Sequence, residues 1–192
     1  GGAGAAYLYL MEANGSFTFL DKVTAADGAA NDRFGISVSQ SGNLFAVGAN
    51  KADVDGKSNA GAAYLYRVQD NGSVTTLGKV TAPDGASYDE FGKSMSLSGN
   101  LLAVGASAAD PDGKSSAGVA YLYRVEDNGS VTTLSKVAAP DASSSDYFGN
   151  SVSLSGDLLA VGASSADPDG KSNAGAAYLY RVEDNGSVTT LS

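Results

Sequence analysis

The sequence contains no cysteine, no histidine and no tryptophan, and only four prolines in 192 residues. Without cysteine, neither a disulfide framework nor a thiolate metal site is possible. Without histidine, the Ser-His-Asp and Cys-His forms of nucleophilic catalysis are excluded, together with the commonest zinc ligand. These absences leave little basis for catalysis, and we expect the protein not to be an enzyme.

Long apolar runs and a basic surface are also missing. The longest apolar stretches are short, such as residues 101–104, whereas a bilayer-spanning helix needs about 20 apolar residues. The 21 acidic residues outnumber the 12 basic ones, which gives a net charge of −9. Such a surface repels phosphate backbones, so we expect no membrane span and no nucleic-acid partner.

What the sequence does contain is a repeat with a period of 57 residues. The segments Tyr-Leu-Tyr, Phe-Gly and Asn-Gly-Ser each recur at this spacing. Residues 91–135 and 148–192 differ at only six of 45 positions. Self-similarity at a fixed period indicates a tandem array in which each unit packs on its neighbours.

Each unit predicts four short strands, which in one unit are residues 91–97, 101–106, 118–125 and 131–137. The first alternates polar and apolar residues, and the second is a continuous apolar run typical of a strand that is buried on both faces. Asn-Gly before the fourth strand is the sequence signal of a tight hairpin. The pattern predicts an all-β fold, a propeller-type array of four-stranded antiparallel blades.

The run from Phe148 to Ala163, followed after a loop by Ala-Gly-Ala-Ala-Tyr178, resembles the FG-GAP repeat. The preceding Lys-apolar-Thr-Ala-x-Asp-Gly segment, present at 22–28 and 79–85, is similar to the bacterial variant found beside hyalin-like and adhesin modules. The resemblance implies a propeller like that of integrin α subunits and of exported microbial proteins. It does not carry over their calcium loop between strands one and two, because that connection is here only Ser-Gly-Asn or Ser-Gly-Asp.

Residues 1–33 supply only strands three and four of a blade with a connection, and full blades follow at 34–90, 91–147 and 148–192. The sequence thus predicts about three and a half blades, whereas closed propellers have 4–8. Three arrangements stay open: a segment of a longer array, several chains that complete a ring, for which two copies give 28 strands, and an open filament-like stack. The half blade leaves a sheet edge as a template for another chain.

Aspartates cluster in the loop after the second strand of each blade. Asp-x-Asp-Gly resembles the middle of a calcium loop, in which carboxylates alternate around a glycine turn. The alternative is a plain turn in which Asp bonds to the backbone, and the missing distal Glu and the adjacent Lys favour it. The candidate calcium ligands are Asp53, Asp55, Asp110, Asp112, Asp167 and Asp169. For Asp32, Asp89 and Asp146, which precede each Phe-Gly, we expect turn acceptors rather than cation ligands.

Two other repeated features suggest ligand chemistry. The Asn-Gly-Ser triplets fit the N-glycosylation pattern, although Asn-Gly also simply makes the hairpin turn. Their asparagines are Asn14, Asn71, Asn128 and Asn185. The paired tyrosines either stack on sugar rings or pack one blade on the next. These pairs are Tyr64 and Tyr66, Tyr121 and Tyr123, and Tyr178 and Tyr180.

The function that these features favour is a non-enzymatic structural or adhesive repeat protein, located outside the cell or on its surface. Its expected partners are copies of itself, joined through blade edges into a fibre, a surface layer or a multi-chain propeller, and in addition a cell-surface protein or glycan. Many identical weak sites would act through avidity. The alternative is a ligand-binding propeller, either a carbohydrate lectin or an integrin-like receptor head. No cofactor is expected except calcium.

Overall fold

The computed structural model describes residues 2–191, and these residues form 14 β-strands in four sheets. A two-stranded half blade comes first, with β1 at Ala6–Met11 and β2 at Phe17–Val23. The first blade contains β3 (Val38–Ser41), β4 (Leu44–Ala49), β5 (Ala62–Val68) and β6 (Val74–Val80). The second contains β7 (Ser94–Ser98), β8 (Leu101–Ala106), β9 (Val119–Val125) and β10 (Val131–Val137). The third contains β11 (Phe148–Ser155), β12 (Leu158–Ala163), β13 (Ala176–Val182) and β14 (Val188–Thr190).

Each blade is a simple antiparallel meander, with its strands hydrogen-bonded in chain order. The all-β fold and the four-stranded blades predicted from the sequence are confirmed. The strand predicted at 91–97 is observed at Ser94–Ser98, whereas its equivalent in the third blade begins at Phe148. In both blades the Phe amide donates to a carbonyl of the preceding blade, that of Ala60 at 2.9 Å and that of Ala117 at 2.8 Å. Two short 3₁₀ turns, Pro111–Gly113 and Pro168–Gly170, lie in the loops of the second and third blades.

A β-bulge interrupts the pairing of strands three and four. In the first blade, Leu65 pairs with Gly78 and Tyr66 with Thr76, so Leu77 is the extra residue. The bulge turns this leucine toward the next blade, where its side chain lies against the hairpin glycine Gly129. A bulge of this kind increases the local twist and re-aims one side chain. The same register shift occurs in the half blade and in the second blade.

The hydrophobic core lies between the blades. One cluster joins the half blade to the first blade, a second joins the first to the second, and a third joins the second to the third. In the second cluster, Ala46 and Leu65 of the first blade pack with Phe91, Tyr121 and Tyr123 of the second. A blade therefore has two unlike faces: a small-aliphatic face toward the following blade and an aromatic face toward the preceding one.

Candidate functional site

The contact between successive blades is the repeated site of this molecule, and the Phe-Gly dipeptide is its centre. Phe91 is fully buried, and its ring lies 5.6 Å from that of Tyr121 in an edge-on arrangement. Gly92 has a φ of +87°, and a Cβ at this position would lie 2.4 Å from the Ala62 carbonyl oxygen of the preceding blade. Only glycine allows two backbones to approach so closely. The repeated Phe-Gly thus has a packing explanation.

The paired tyrosines lie inside this contact. The Tyr64 hydroxyl donates to Asp27 Oδ1 at 2.7 Å, and Lys79 Nζ lies 2.7 Å from the other oxygen of that carboxylate. The same triad recurs one blade later as Tyr121, Asp84 and Lys136. All six candidate stacking tyrosines are buried, so their ring faces contact protein rather than a free sugar. Their equivalents in the half blade, Tyr7 and Tyr9, are exposed.

The pKa values of the triad are set by two effects: partial burial, and the hydrogen bonds that the aspartate accepts from the lysine and the tyrosine. Hydrogen bonds from Lys79 and Tyr64 hold the pKa of Asp27 below its usual value. Burial raises the pKa of Asp84, but the hydrogen bonds from Lys136 and Tyr121 outweigh it, and the net pKa is lowered. Burial raises the pKa of Tyr66 to about 12. In the first and second blades, these bonds hold the linker that precedes the blade against a tyrosine and a lysine of that same blade.

A row of serines forms the second part of the contact, on the innermost strands. Ser37 Oγ donates to the Gly92 carbonyl at 2.7 Å, and Ser39 Oγ accepts from the Leu97 amide at 2.8 Å. One blade later, Ser94 donates to Gly149 and Ser96 accepts from Leu154. The hydroxyls reach from one blade to the next because Ser residues at i and i+2 share one face of a strand. Sequence reasoning missed these residues, although the alternation Gly-x-Ser-x-Ser-x-Ser is visible in it.

The candidate calcium aspartates lie in exposed loops. Asp53 Oδ1 accepts from the Asn59 amide at 2.7 Å, Asp110 accepts from Ser116 in the same way, and Asp167 accepts from Asn173. Asp55, Asp112 and Asp169 have positive φ at the turn itself. Between residues 2 and 191, no three acidic side chains are grouped closely enough to hold a metal ion. The observed geometry is that of a turn, and calcium binding stays a prediction.

The aspartates before Phe-Gly are buried turn acceptors, as expected. Asp32 accepts from the Ala29 amide at 2.7 Å, Asp89 from Ala86 at 2.8 Å and Asp146 from Ser143 at 2.7 Å. Burial raises the pKa of Asp89.

The four asparagines of the hairpin turns are exposed, and each accepts the amide of the serine two residues later. The distances from Oδ1 to that nitrogen are 2.9–3.0 Å for Asn14, Asn71, Asn128 and Asn185. This geometry explains the Asn-Gly-Ser sequence as a turn. Glycosylation of these residues stays a prediction. None of the helices among the described residues is long and apolar enough to cross a bilayer.

Comparison with known structures supports the fold. A protein from Lactobacillus plantarum has a TM-score of 0.54 and 16% identity, over 97% of this chain and 47% of its own length. Sqt1 from Chaetomium thermophilum has a TM-score of 0.53 and 15% identity, over 84% of this chain and 36% of its own. Both have propeller-like folds. The chain spans less than half of the length of either. No curated protein sequence matches it.

Comparison with protein families finds a known repeat that has the same 57-residue period as the blades and includes the Phe-Gly dipeptide. The sequence profile of the FG-GAP repeat matches three times, at residues 17–66, 74–123 and 131–180. Each match runs from the last strand of one blade through the first three strands of the next. It therefore spans the contact between blades. The chain belongs to the FG-GAP repeat family.

Proposed function

We propose that this protein is a non-enzymatic, extracellular structural or adhesive module that self-associates. The observation that carries the proposal is the contrast between the faces inside the array and the faces at its two ends. Inside, each small-aliphatic face packs on an aromatic face. At the ends, one face of each kind is exposed.

The third blade exposes a small-aliphatic face. Leu179 is 45% exposed, whereas its equivalents Leu122 and Leu65 are both 0% exposed. Leu158 beside it is also exposed, as is Ala177, whose equivalent Ala120 is buried in the second blade. The serines of β11 are exposed too, whereas those of β3 and β7 are partly buried against the following blade. The third blade therefore exposes the same face that the following blade covers in the first and second blades.

The half blade exposes the opposite, aromatic face. Tyr7 is 57% exposed, whereas its equivalent Tyr64 is 4% exposed. Tyr9 lies with its ring 5.7 Å from that of Phe19, and both are exposed. Contiguous exposed apolar surface of this kind marks protein contact sites. Because the two end faces are unlike and complementary, a contact between copies is heterologous, and it builds a ring or an open filament.

The test is the size of the particle as the concentration rises. Sedimentation velocity on the wild-type chain is expected to show species well above 19.1 kDa. Leu179→Asp places a charge on the aliphatic end face and is expected to give a monomer, while the control Thr132→Asp, on an exposed position of β10, is expected to assemble like the wild type. A wild-type chain that stays monomeric at high concentration contradicts self-association.

The extracellular setting is supported by the absence of cysteine, which leaves no thiol to undergo stray oxidation, and by the resemblance to repeats of exported proteins. Fractionation of the producing cells is expected to recover the protein from the medium or the cell surface. Recovery only from the cytosol contradicts this part of the proposal and leaves the self-association test unaffected.

A further inference from the structure

Three of the twelve basic residues depart from the repeat. The other nine belong to three sets with a spacing of 57 residues: Lys22, Lys79 and Lys136; Lys57, Lys114 and Lys171; Arg67, Arg124 and Arg181. The three that stand apart are Arg33, Lys51 and Lys93, and no residue 57 positions away from any of them is basic. The framework of the repeat therefore does not account for these three charges.

The three residues lie where the first blade contacts the second. The Lys51 ammonium binds Glu90 of the second blade, and Lys93 Nζ lies 3.4 Å from the other oxygen of that carboxylate. Arg33 lies beside Lys51, because the Lys51 amide donates to the carbonyl of the preceding residue, Asp32, at 3.2 Å. We call Arg33, Lys51, Glu90 and Lys93 the charged strip. It lies at the end of the blades opposite to the Asn-Gly hairpins and on neither end face.

The charge of this strip is opposite to that of the whole chain. Three cations surround the single carboxylate of Glu90, in a protein with a net charge of −9. Burial raises the pKa of Glu90, but its hydrogen bond from Lys51 and the attraction of Lys93 outweigh burial, and the net pKa is lowered. Asp32 is only 7% exposed, and its carboxylate accepts from the Ala29 amide. The strip is therefore a local excess of positive charge.

The packing of the blades does not require these charges. At the contact between the second and third blades, the positions equivalent to those of Lys51, Glu90 and Lys93 hold uncharged residues. These residues are Ala108, Tyr147 and Asn150. The phenylalanines at the centres of the two contacts, Phe91 and Phe148, are nevertheless both 0% exposed. The charged strip therefore needs an explanation other than the stability of the array.

The loop before each Phe-Gly carries side chains where the backbone is left-handed. The residue just before Phe-Gly has a φ of +60° at Arg33, +58° at Glu90 and +56° at Tyr147. Glycine or asparagine adopts this conformation at a lower cost than these longer side chains do. Tyr88, two residues before Glu90, has a φ of +73° and is 62% exposed. Large side chains at strained, exposed loop positions indicate a role outside folding.

A buried amide that points into the strip lacks one partner. Asn50 is 2% exposed, and its Nδ2 donates to Glu90 Oε2 at 3.3 Å. Its Oδ1 has no hydrogen-bond donor among residues 2–191. The counterpart Ser107 also lacks a partner, but the charged residues are absent from that contact. Because buried polar atoms are nearly always paired, the strip calls for a hydrogen-bond donor as well as an anion.

We propose that the charged strip binds an acidic polysaccharide, a chain of uronic acid residues. Its carboxylates pair with the surplus cations, its hydroxyls supply hydrogen-bond donors, and its rings stack on the exposed Tyr88. A thin chain touches only the strip, whereas an acidic protein brings a broad surface against the rest of a chain of net charge −9 and is repelled by it. The inference rests on the adhesive part of the proposed function and does not depend on self-association.

The test measures the binding of fluorescent octagalacturonate to the complete 192-residue chain by fluorescence anisotropy. Saturable binding is expected, and it should weaken as salt is added, because salt screens exposed charges. Maltooctaose, a neutral sugar chain of the same length, is expected not to bind. Octa-aspartate, which represents an acidic protein segment, is expected to bind at least about fivefold more weakly, since it has neither rings nor hydroxyls. Equal or tighter binding of octa-aspartate overturns the choice of a polysaccharide.

Substitutions taken from the other blades show where the sugar chain binds. Lys51→Ala and Lys93→Asn introduce the residues found at the equivalent positions 108 and 150, so both are compatible with the fold. Each is expected to weaken binding at least about threefold, and the double variant at least about tenfold, with the far-UV circular dichroism unchanged. The control Lys171→Ala removes the same charge from an exposed loop of the third blade and is expected to bind like the wild type.

The Leu179→Asp variant separates this inference from self-association. It is expected to bind octagalacturonate like the wild type even as a monomer, so failure of assembly and failure of sugar binding are distinguishable. The inference is overturned if the wild-type chain does not bind octagalacturonate, or if the double variant binds it unchanged. A loss of binding in Lys171→Ala equal to that in Lys51→Ala also overturns it, because the attraction would then not be located at the strip.

Discussion

The second and third blades have almost the same sequence and very different surroundings. They differ at only six of 45 positions over residues 91–135 and 148–192. Leu122 is nevertheless completely buried, and its counterpart Leu179 is 45% exposed. The difference comes from the neighbour and not from the residue, because the second blade has another blade on each side.

This pair of blades shows that the unit of stability in the array is the contact between blades. A four-stranded sheet has two faces, and alone it buries neither, so each added neighbour buries one more face. Substitutions at equivalent positions of the two blades therefore form natural matched pairs. Each pair keeps the residue, the strand and the backbone conformation nearly constant and changes only the packing.

The largest difference is expected for the leucines. Leu122→Ala removes a buried side chain between two blades and is expected to lower the free energy of unfolding by about 2–5 kcal/mol. Leu179→Ala removes the same atoms from an exposed position and is expected to cost less than about 1 kcal/mol. Urea denaturation in dilute solution measures both. Equal losses would show that the contact between the second and third blades contributes little.

A smaller difference is expected for the glycines that immediately precede the third strand of a blade, β9 or β13. Gly118 and Gly175 have φ values of +83° and +77°, so alanine is strained at both. At Gly118, however, a Cβ would also lie 2.1 Å from the Phe148 carbonyl oxygen, whereas at Gly175 the nearest atom is 3.3 Å away. Gly118→Ala is expected to cost about 1–3 kcal/mol more than Gly175→Ala, as overpacking does. The two midpoints in the same urea assay test this, and coinciding midpoints contradict it.

The sequence predicted the blades well because the signals for them are local. The Leu-Leu-Ala-Val-Gly-Ala run, the Asn-Gly turn and the 57-residue period each lie within one unit, and β8 and β10 begin and end at the predicted residues. The start of β7 was predicted three residues too early, whereas its equivalent in the third blade, β11, begins at the Phe of Phe-Gly.

The contacts between blades were harder to predict because they join residues far apart in the chain. The bond between Tyr121 and Asp84 spans 37 residues, and the bond between Ser39 and Leu97 spans 58. An alternating serine pattern does not reveal which strand the hydroxyls reach. The spacing of the tyrosines allowed both sugar stacking and blade packing, of which packing was favoured, and their burial distinguishes these two environments.

The smallest expected effect concerns pH and the Asp84 triad. The hydrogen bonds from Lys136 and Tyr121 lower the pKa of Asp84 in the folded protein, despite burial. A lowered folded-state pKa contributes stability above the unfolded value, and this contribution is lost as the pH falls through the folded value. Asp84→Asn is therefore expected to be less stable than the wild type at neutral pH, and the difference should shrink below the ordinary value of 3.8.

The size of this effect is limited by solvent, because the Asp84 side chain is 52% exposed. A pair so exposed contributes at most about 1 kcal/mol, and salt reduces it further. Asp141→Asn is the matched control, since Asp141 accepts from Tyr178 but has no lysine partner among the described residues. At neutral pH, Asp141→Asn is expected to lose less stability than Asp84→Asn, because it removes a tyrosine hydrogen bond and no ion pair with a lysine. If both variants lose the same stability at neutral pH, Lys136 is not the source of the stabilisation, and the triad reduces to its tyrosine hydrogen bond.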